Sequence, residues 1–539
     1  MPRFLAMLSL FLAPLTALGA SLLGDPPTMP FSDAEIAFGA SGLSAIRYGG
    51  FNFLQSGDLG MNEVKLKTAS GGLVDGGVSR TTAMDAANNA VEQTYSWGSV
   101  RCAFRQDGSH VLITTKIHNT SARVIESFNL SLPTLKFPAK PAEYDGNTPL
   151  LGHTVGETGV VLMSYGKGVM VLTNEDPSQP LMAGFPWAFN RPTSTIFPLV
   201  VNTGRVAMYP GGTPDVVRPI AAGATLEFTL ALRFGPTGAT PATMAADVFE
   251  KTRAAFPFRV SWSDRRSIGS LFLATAAAGW PKNPRGWFNN HDGVDVTTPE
   301  GVATFKTFLL AYANRSIPIL KAMNSQGMIT WDIEGEQFPH ATTYIGDPRM
   351  AEQLAPEITG AVDEYFKRFR DAGLRVGVTI RPQQLVLAAD GKSATQQEVA
   401  DPAKQLMEKI AYAKNRWGAT LFYIDSNGDP NFPTDAAAIE RIATAFPDVL
   451  LIPESQNLRY YATTAPYDEL RRGIESTSST TRLVYPQAFS VINIADIDSA
   501  SHHDALLDGV RRGDILLYHA WFDDPMNAAV KQIYDEAAQ

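Results

Sequence analysis

The sequence has almost no cysteine, since Cys102 is the single one among 539 residues. No intrachain disulfide can form, so we expect the fold to depend on its hydrophobic cores. This composition suits a bacterial periplasmic or secreted protein better than a eukaryotic extracellular one. Hydrolysis through a nucleophilic Cys or Ser has no support either. Cys102 falls among predicted β-strands, and the sequence contains no GxSxG turn.

Clustered positive charge is also absent. The formal net charge is −9 and 18% of the residues are charged, against ~25% in typical globular chains. Nucleic acid is therefore not an expected partner. The sequence has no GxGxxG phosphate turn and no EF-hand spacing, and the pair His502 and His503 lacks a helical HxxxH or Cys partner. We expect neither a metal nor an organic cofactor.

Long apolar runs are missing after the first twenty residues. Residues 1–20, "MPRFLAMLSLFLAPLTALGA", combine the basic Arg3, an apolar stretch and a small-residue end. They predict a secretory signal peptide cleaved near Ala20, and hence a periplasmic or secreted protein with no membrane contact after cleavage. The alternative is a membrane anchor, but the apolar part is short for the ~20 residues that a spanning helix needs.

Residues 21–255 carry apolar side chains with a period of two, interrupted by turn residues every eight to twelve positions. Examples are "VRCAFRQDG", "HVLITTKIHNTSARVIESFNLSLPTLKF" and "ATLEFTLALRFG". Such alternation is typical of half-buried antiparallel strands, so we expect a large β-sandwich domain.

Residues 256–539 follow a different pattern, in which short apolar strands alternate with amphipathic helices. This pattern predicts a parallel sheet, and eight strands match the number in a (β/α)8 TIM barrel. The predicted strands are 270–277, 328–335, 375–382, 419–426, 448–455, a weak sixth "RLVYPQ" at 482–487, 489–496 and 514–521. The alternative, an open doubly wound sheet, lacks a phosphate-binding turn after its first strand.

Polar residues follow most of these apolar runs. In a TIM barrel the catalytic groups project from the carboxyl ends of the strands. A buried unpaired charge costs several kcal/mol, so ionisable groups at so many strand ends indicate a functional site. The candidates are Asp332, Glu334, Arg381, Asp425, Glu454, Asp496, Asp498 and His519.

Asp425 ends the fourth predicted strand in "ATLFYIDSNGDP", and Glu454 ends the fifth in "DVLLIPESQN". A pair of carboxyl groups suits the hydrolysis of a glycosidic bond. One of them, kept protonated by its surroundings, donates a proton to the leaving oxygen, while the other attacks or activates water. The expected substrate is an oligosaccharide, a polysaccharide or a glycoconjugate.

This order of carboxylates resembles that of retaining (β/α)8-barrel α-glycoside hydrolases, both α-amylase-like and endo-α-N-acetylgalactosaminidase-like. The sandwich strands resemble a galactose-mutarotase-like domain that precedes the barrel in many carbohydrate enzymes. The resemblance implies that Asp425 is the nucleophile and Glu454 the acid/base, with Asp496 or Asp498 stabilising the transition state. Two features differ from the α-amylase-like pattern: Tyr423 replaces an Arg, and "INIADID" lacks a His-Asp pair.

Other assignments stay open at this point. Asp332 and Glu334 could bind sugar hydroxyls, or could be the catalytic pair of an inverting or β-specific glycosidase. Arg381 is expected to orient a carboxylate by bidentate pairing. Trp280 and His519 are further candidates for sugar contacts, since aromatic rings offer flat apolar area. A carbohydrate-binding protein that has lost catalysis is the alternative from outside the enzymes.

Overall fold

The computed structural model describes most of the chain. The predicted signal peptide lies outside the described residues. No helix among those residues is long and apolar enough to cross a membrane. The described residues are 33–141, 159–179, 181–185, 194–203, 218–274, 280–335, 346–387, 394–397, 399–426, 436–454, 457–494, 499–519 and 525–539.

The first part of the chain forms antiparallel sheets. Its strands are β1 Glu35–Gly39, β2 Gly42–Tyr48, β3 Phe51–Asn52, β4 Leu54–Ser56, β5 Gly60–Lys67, β6 Leu73–Asp75, β7 Thr81–Asp85, β8 Ala90–Tyr95, β9 Gly98–Asp107, β10 His110–Asn119, β11 Ile125–Lys136, β12 Val160–Ser164, β13 Val169–Asn174, β14 Met182–Gly184, β15 Ile196–Asn202 and β16 Thr225–Gly235.

Two of these sheets share one hydrophobic core. A seven-stranded sheet has the order β12-β13-β16-β10-β9-β8-β7, and a six-stranded sheet has the order β14-β15-β11-β5-β6 with β4 paired to β11. Alternate residues of β10, such as Val111 and Ile113, are fully buried against Phe128 and Leu130 of β11. The predicted β-sandwich is confirmed, because the period of two places every second side chain in this core.

Two helices connect the sandwich to the barrel: α1 Pro241–Met244 and α2 Ala246–Ala255. Thr240 caps α1 by accepting a hydrogen bond from the backbone N–H of Thr243. The chain then crosses to the barrel, where the N–H of Arg259 donates to the carbonyl of Ala462.

The second part of the chain forms a barrel of parallel strands. They are β17 Ile268–Leu271, β18 Gly327–Thr330, β19 Arg375–Ile380, β22 Leu421–Ile424, β23 Leu450–Pro453, β24 Tyr467–Glu469, β25 Val491–Asn493 and β26 Ile515–His519, with a hairpin of β20 Gln384–Leu387 and β21 Ala394–Gln397 after β19. The eight parallel strands have the order β23-β22-β19-β18-β17-β26-β25-β24. The sheet is therefore nearly closed, and the predicted TIM barrel is confirmed.

Helices surround this barrel. They are α3 Pro299–Ala322, α4 Ala351–Leu354, α5 Val362–Asp371, α6 Pro402–Trp417, α7 Ala436–Ala445, α8 Ser479–Val484, α9 His503–Arg511 and α10 Pro525–Ala537. Several begin with a capping side chain that is followed by a proline. In α6, Asp401 accepts a hydrogen bond from the N–H of Lys404, and Pro402 is the first residue of the helix.

The prediction for the sixth strand is wrong. Residues 479–484, within and before "RLVYPQ", form helix α8, which Ser478 caps by accepting from the N–H of Thr481. The sixth strand is instead β24, which pairs in parallel with β25. Its three residues, Tyr-Asp-Glu, contain no apolar run that a sequence pattern could detect. Helix α8 lies between β24 and β25 in the chain.

Strand side chains alternate between the barrel lumen and the surrounding helices. The lumen holds one apolar cluster that includes Ile268, Ile329, Leu421, Leu450, Val491 and Ile515. The outer faces pack on the helices in another cluster that includes Met328, Val376, Phe422, Leu451, Ile492 and Leu516. This alternation decides which residue at each strand end faces the lumen.

Candidate active site

A polar layer closes the lumen at the carboxyl ends of the strands. Each member lies two residues after an inward-facing residue of its own strand, so its side chain also faces the lumen. That inward-facing residue is Thr379 in β19 and an apolar residue in the other strands. Its members are Arg381, Asp425, Glu454, Glu469, Asn493 and His519. In a TIM barrel this is the face that carries the active site.

Aromatic rings form a floor beneath this layer. Trp331 lies with its ring centroid 4.7 Å from that of Tyr423, which lies 4.9 Å from that of Tyr467. On the other side Phe272 lies 5.5 Å from Trp331 and 6.2 Å from the ring of His519. The floor keeps water from approaching the polar layer from below, so charges in that layer interact more strongly than they would in bulk solvent.

Asp425 is nearly fully buried, and it pairs with a cation. Its Oδ2 accepts from Nε of Arg381, and also from Oγ of Ser426 at 3.0 Å. Arg381, which the sequence predicts to orient a carboxylate, thus contacts Asp425 through Nε. The N–H of Arg381 donates to the carbonyl of Gly346 at 2.9 Å, where a Cβ would lie 2.7 Å from the Arg381 nitrogen, so this close approach requires glycine.

Glu454 is the neighbour of Asp425 across the two strands. Burial and the adjacent charge of Asp425 raise the pKa of Glu454 to about 6. The N–H of Ser426 donates to its Oε2 at 2.8 Å. Near neutral pH this carboxyl group can therefore exchange a proton, which an ordinary glutamate with a pKa near 4.3 rarely does.

The strand pairing places these two residues side by side. Ile424 of β22 is the partner of Pro453 of β23, so Asp425 and Glu454 follow directly on adjacent parallel strands. Because neighbouring strands lie ~4.8 Å apart, the backbones of the two residues are direct neighbours at the strand ends.

Asp332 and Glu334 are fully buried, and both accept hydrogen bonds from backbone N–H groups. The strand ends at Thr330, whose hydroxyl contacts that of Tyr365 on α5, so Asp332 shares the outward face. Its Oδ1 and Oδ2 accept from the N–H groups of Leu273 and Ala274 at 2.7 and 2.5 Å, and burial raises its pKa well above the usual range. Asp332 therefore fixes the chain after β17, and a sugar contact of its own stays a prediction.

Glu334 belongs to a buried network behind Arg381. Its Oε1 accepts from the N–H of Asp347 at 2.7 Å, and burial raises its pKa to about 7. Lys409 of α6 lies with Nζ 3.6 Å from Oδ2 of Asp347 and donates to the carbonyls of Arg381 and Gln383, both at 2.7 Å. Burial lowers the pKa of this lysine to about 8.

Two members of the polar layer were missed by sequence reasoning. Glu469 ends the undetected strand β24, and its Oε1 accepts from the hydroxyl of Tyr467 at 2.9 Å. Asn493 donates to that same hydroxyl at 2.6 Å. Strand β25 ends at Asn493, three residues before the end predicted from the sequence, which was Asp496. Only a correct assignment of β24 and of the end of β25 would have revealed both residues.

The remaining predicted residues have different outcomes. Trp280 lies with its ring centroid 5.2 Å from that of His291 in the loop before α3. His519 ends β26 and faces the lumen beside Phe272. Asp496 and Asp498 lie outside the described residues. Within the described ranges, no three His, Cys, Asp or Glu side chains are arranged to hold a metal ion.

Comparisons with known proteins give structural likenesses alone. No family model matches the sequence, and no curated protein does. Among solved structures the chain is similar to the α-galactosidase from Lactobacillus brevis, with 10% identity and a TM-score of 0.43 over 94% of this chain and 78% of that one.

Two further structures show the same kind of likeness. The GH36 α-galactosidase AgaB from Geobacillus stearothermophilus is 10% identical with a TM-score of 0.39, over 91% of this chain and 76% of that one. The galactosidase domain of the α-galactosidase-sucrose kinase AgaSK is 10% identical with a TM-score of 0.40, over 94% and 74%. The architecture described here does not depend on these likenesses, because it follows from the strand pairing within this chain.

Proposed function

We propose that this protein is a glycoside hydrolase that cleaves an α-linked glycoside with retention of configuration. The observation that supports it most directly is the pairing of Asp425 with Glu454 on adjacent strand ends, bridged by Ser426. The choice of α-linkage rests on the resemblance of this order of carboxylates to that of retaining α-glycoside hydrolases. Neither an organic cofactor nor a metal is needed for this chemistry.

In the first step Asp425 attacks the anomeric carbon, and the bond from that carbon to the leaving oxygen breaks. Arg381 orients Asp425 by donating from Nε to its Oδ2. Glu454 transfers its proton to the leaving oxygen. In the second step Glu454 removes a proton from water, the water oxygen bonds to the anomeric carbon, and Asp425 leaves as a carboxylate.

The substrate that we propose is an oligosaccharide, a polysaccharide or a glycoconjugate, met in the periplasm or outside the cell. Secretion rests on the sequence of residues 1–20 alone. The aromatic floor and the hydrogen-bonding side chains of Glu469, Asn493 and His519 suit a ligand with both apolar ring faces and hydroxyl groups.

The test is hydrolysis of a panel of aryl α- and β-glycosides and polysaccharides by the wild type, Asp425→Ala and Glu454→Ala. We expect the wild type to cleave an α-linked member with retention, as seen by NMR of the first-formed anomer. Both variants should lose activity by roughly 10³-fold or more, because each removes a group that acts in the transition state.

The matched control is Asp448→Ala. This carboxylate precedes β23 at the opposite end of the barrel and forms an exposed ion pair with Lys414. It should leave hydrolysis unchanged. Persistent cleavage by Asp425→Ala would instead favour Asp332 and Glu334 as the catalytic pair. A wild type that shows a thermal shift with a sugar but releases no reducing ends would support a binding protein.

A further inference from the structure

Ser426 has an unusual backbone conformation immediately after the predicted nucleophile. Its φ is +56°, in the left-handed region that residues with a Cβ rarely adopt. Such a conformation costs on the order of 1 kcal/mol or more and is found mainly where the surroundings enforce it. A glycine would adopt it at no steric cost, so the presence of serine suggests that its hydroxyl group has a use.

The turn at Ser426 directs two donors at two different carboxyl groups. Its Oγ donates to Oδ2 of Asp425 at 3.0 Å, while its N–H donates to Oε2 of Glu454 at 2.8 Å. Arg381 donates from Nε to the same Oδ2. The donors of Ser426 and Arg381 thus engage Oδ2 of Asp425 and Oε2 of Glu454.

We propose that Ser426 is a positioning residue that determines which oxygen of each carboxyl group reacts, so that Oδ1 of Asp425 attacks and Oε1 of Glu454 carries the proton. This inference rests on the proposed function. An oxygen that already accepts two hydrogen bonds is a weaker nucleophile, because its lone pairs are engaged. An oxygen that accepts from an N–H is equally a poor place for a proton, since the two hydrogens would compete for one site.

The reaction then uses the other oxygen of each carboxyl group, Oδ1 of Asp425 and Oε1 of Glu454. Oδ1 forms the bond to the anomeric carbon, and the leaving oxygen departs with the proton from Oε1. Oδ2 becomes the carbonyl oxygen of the glycosyl ester and keeps its hydrogen bonds from Ser426 and Arg381. Glu454 becomes a carboxylate whose Oε2 is stabilised by the N–H of Ser426. Hydrolysis reverses these changes, with water supplying the oxygen and the proton.

The experiment compares the wild type with Ser426→Ala and Ser426→Gly. Both variants remove the hydroxyl group but keep the N–H, and glycine also relieves the positive φ. We expect kcat/KM to fall about 10- to 100-fold, the range for loss of a hydrogen bond to a charged group, with little change in KM. The fall should appear in kcat, because Oδ2 of Asp425 loses a donor that orients it. The limb of the pH profile that belongs to Glu454 should not move, because the N–H of Ser426 is retained in both variants.

Ser270→Ala is the matched control, because it removes a buried lumen hydroxyl that donates to the carbonyl of Tyr518 and contacts neither carboxyl group. It should keep wild-type kinetics. A purely structural role of Ser426 would lower the melting temperature but leave kcat of the folded variants unchanged, and that result would overturn the proposal.

A second measurement does not need a substrate. The carboxylate stretching bands of Asp425 can be followed at one pH by difference infrared spectroscopy of the aspartate-labelled protein, with Asp425→Asn identifying them. These bands respond to the hydrogen bonds that each oxygen accepts, so unchanged bands in Ser426→Ala would overturn the role of Ser426 whether or not any glycoside is hydrolysed. Failure of the whole panel with shifted bands would instead count against the proposed function alone.

Discussion

Glu454 illustrates how its surroundings change the chemistry of a single residue. Burial at the end of β23 disfavours its ionised form, and the charge of Asp425 acts in the same direction, so its pKa rises to about 6. The same residue type on the surface would be ionised at neutral pH and could not donate a proton. Its neighbour Asp425 forms an ion pair with Arg381.

The first prediction concerns pH. Since Glu454 must be protonated to assist the leaving group, kcat/KM should fall as the pH rises through about 6, the pKa of Glu454. Glu454→Gln should abolish this limb and retain measurable activity only on aryl glycosides with highly acidic leaving groups. The measurement is the pH dependence of kcat/KM for one activated and one unactivated substrate. A basic limb that persists in Glu454→Gln would show that another group is the acid.

At the scale of elements, helix α6 supports the end of strand β19. Lys409 reaches from the helix to the carbonyls of Arg381 and Gln383, and its side chain is 1% exposed. A buried ammonium group is costly unless it is paired, and here Asp347 and the two carbonyls surround it. Helix α6 therefore holds Arg381 in place at the end of β19, and Arg381 in turn orients Asp425.

The second prediction is that Lys409→Met lowers kcat/KM by on the order of 10²-fold, because Arg381 would lose its support and shift relative to Asp425. It should also reduce the free energy of unfolding by about 1–3 kcal/mol, since two buried carbonyls would lose a donor. Steady-state kinetics and denaturant unfolding measure the two effects.

Lys414→Met on the same helix is the control, because Lys414 forms an exposed ion pair with Asp448. Its effect on stability should stay within about 0.5 kcal/mol. Wild-type kinetics in folded Lys409→Met would contradict the supporting role of α6.

At the scale of the whole molecule, the sandwich and the barrel share a hydrophobic cluster. It combines residues of β12 and β13, of α2, and of the barrel segments around β24 and α8, among them Val160, Val171, Val248, Phe249, Leu458, Tyr461 and Tyr485. Arg253 of α2 adds a hydrogen bond to the carbonyl of Leu483 at 2.9 Å. The two parts are therefore expected to unfold together.

The third prediction tests this coupling. Phe249→Ala should lower stability by about 3–5 kcal/mol, the usual cost of removing a buried phenylalanine side chain. Calorimetry should also resolve separate transitions for the sandwich and the barrel, because their shared cluster is weakened. Phe308→Ala is the control, since that ring on α3 is 39% exposed. One undivided transition in Phe249→Ala would mean that the cluster does not couple the two parts.

Several features of this protein were predictable from local patterns. Period-two alternation identified the sandwich, and apolar runs located seven of the eight barrel strands because buried parallel strands are nearly continuous in hydrophobic residues. Asp425 and Glu454 were found because each follows such a run directly. The strand β24 was not predictable, since its three residues gain their strand conformation from pairing with β25 and not from their own composition.

The sequence by itself therefore determined the succession of sandwich and barrel and the two carboxylates at neighbouring strand ends. Only the tertiary structure decided which polar residues face the lumen. Strand β18 ends at Thr330 and leaves Asp332 to bind backbone N–H groups, while Glu469 and Asn493 enter the polar layer. The physical reason is that the direction of a side chain at a strand end depends on where the strand stops, and that is set by hydrogen bonds to neighbouring strands distant in the chain.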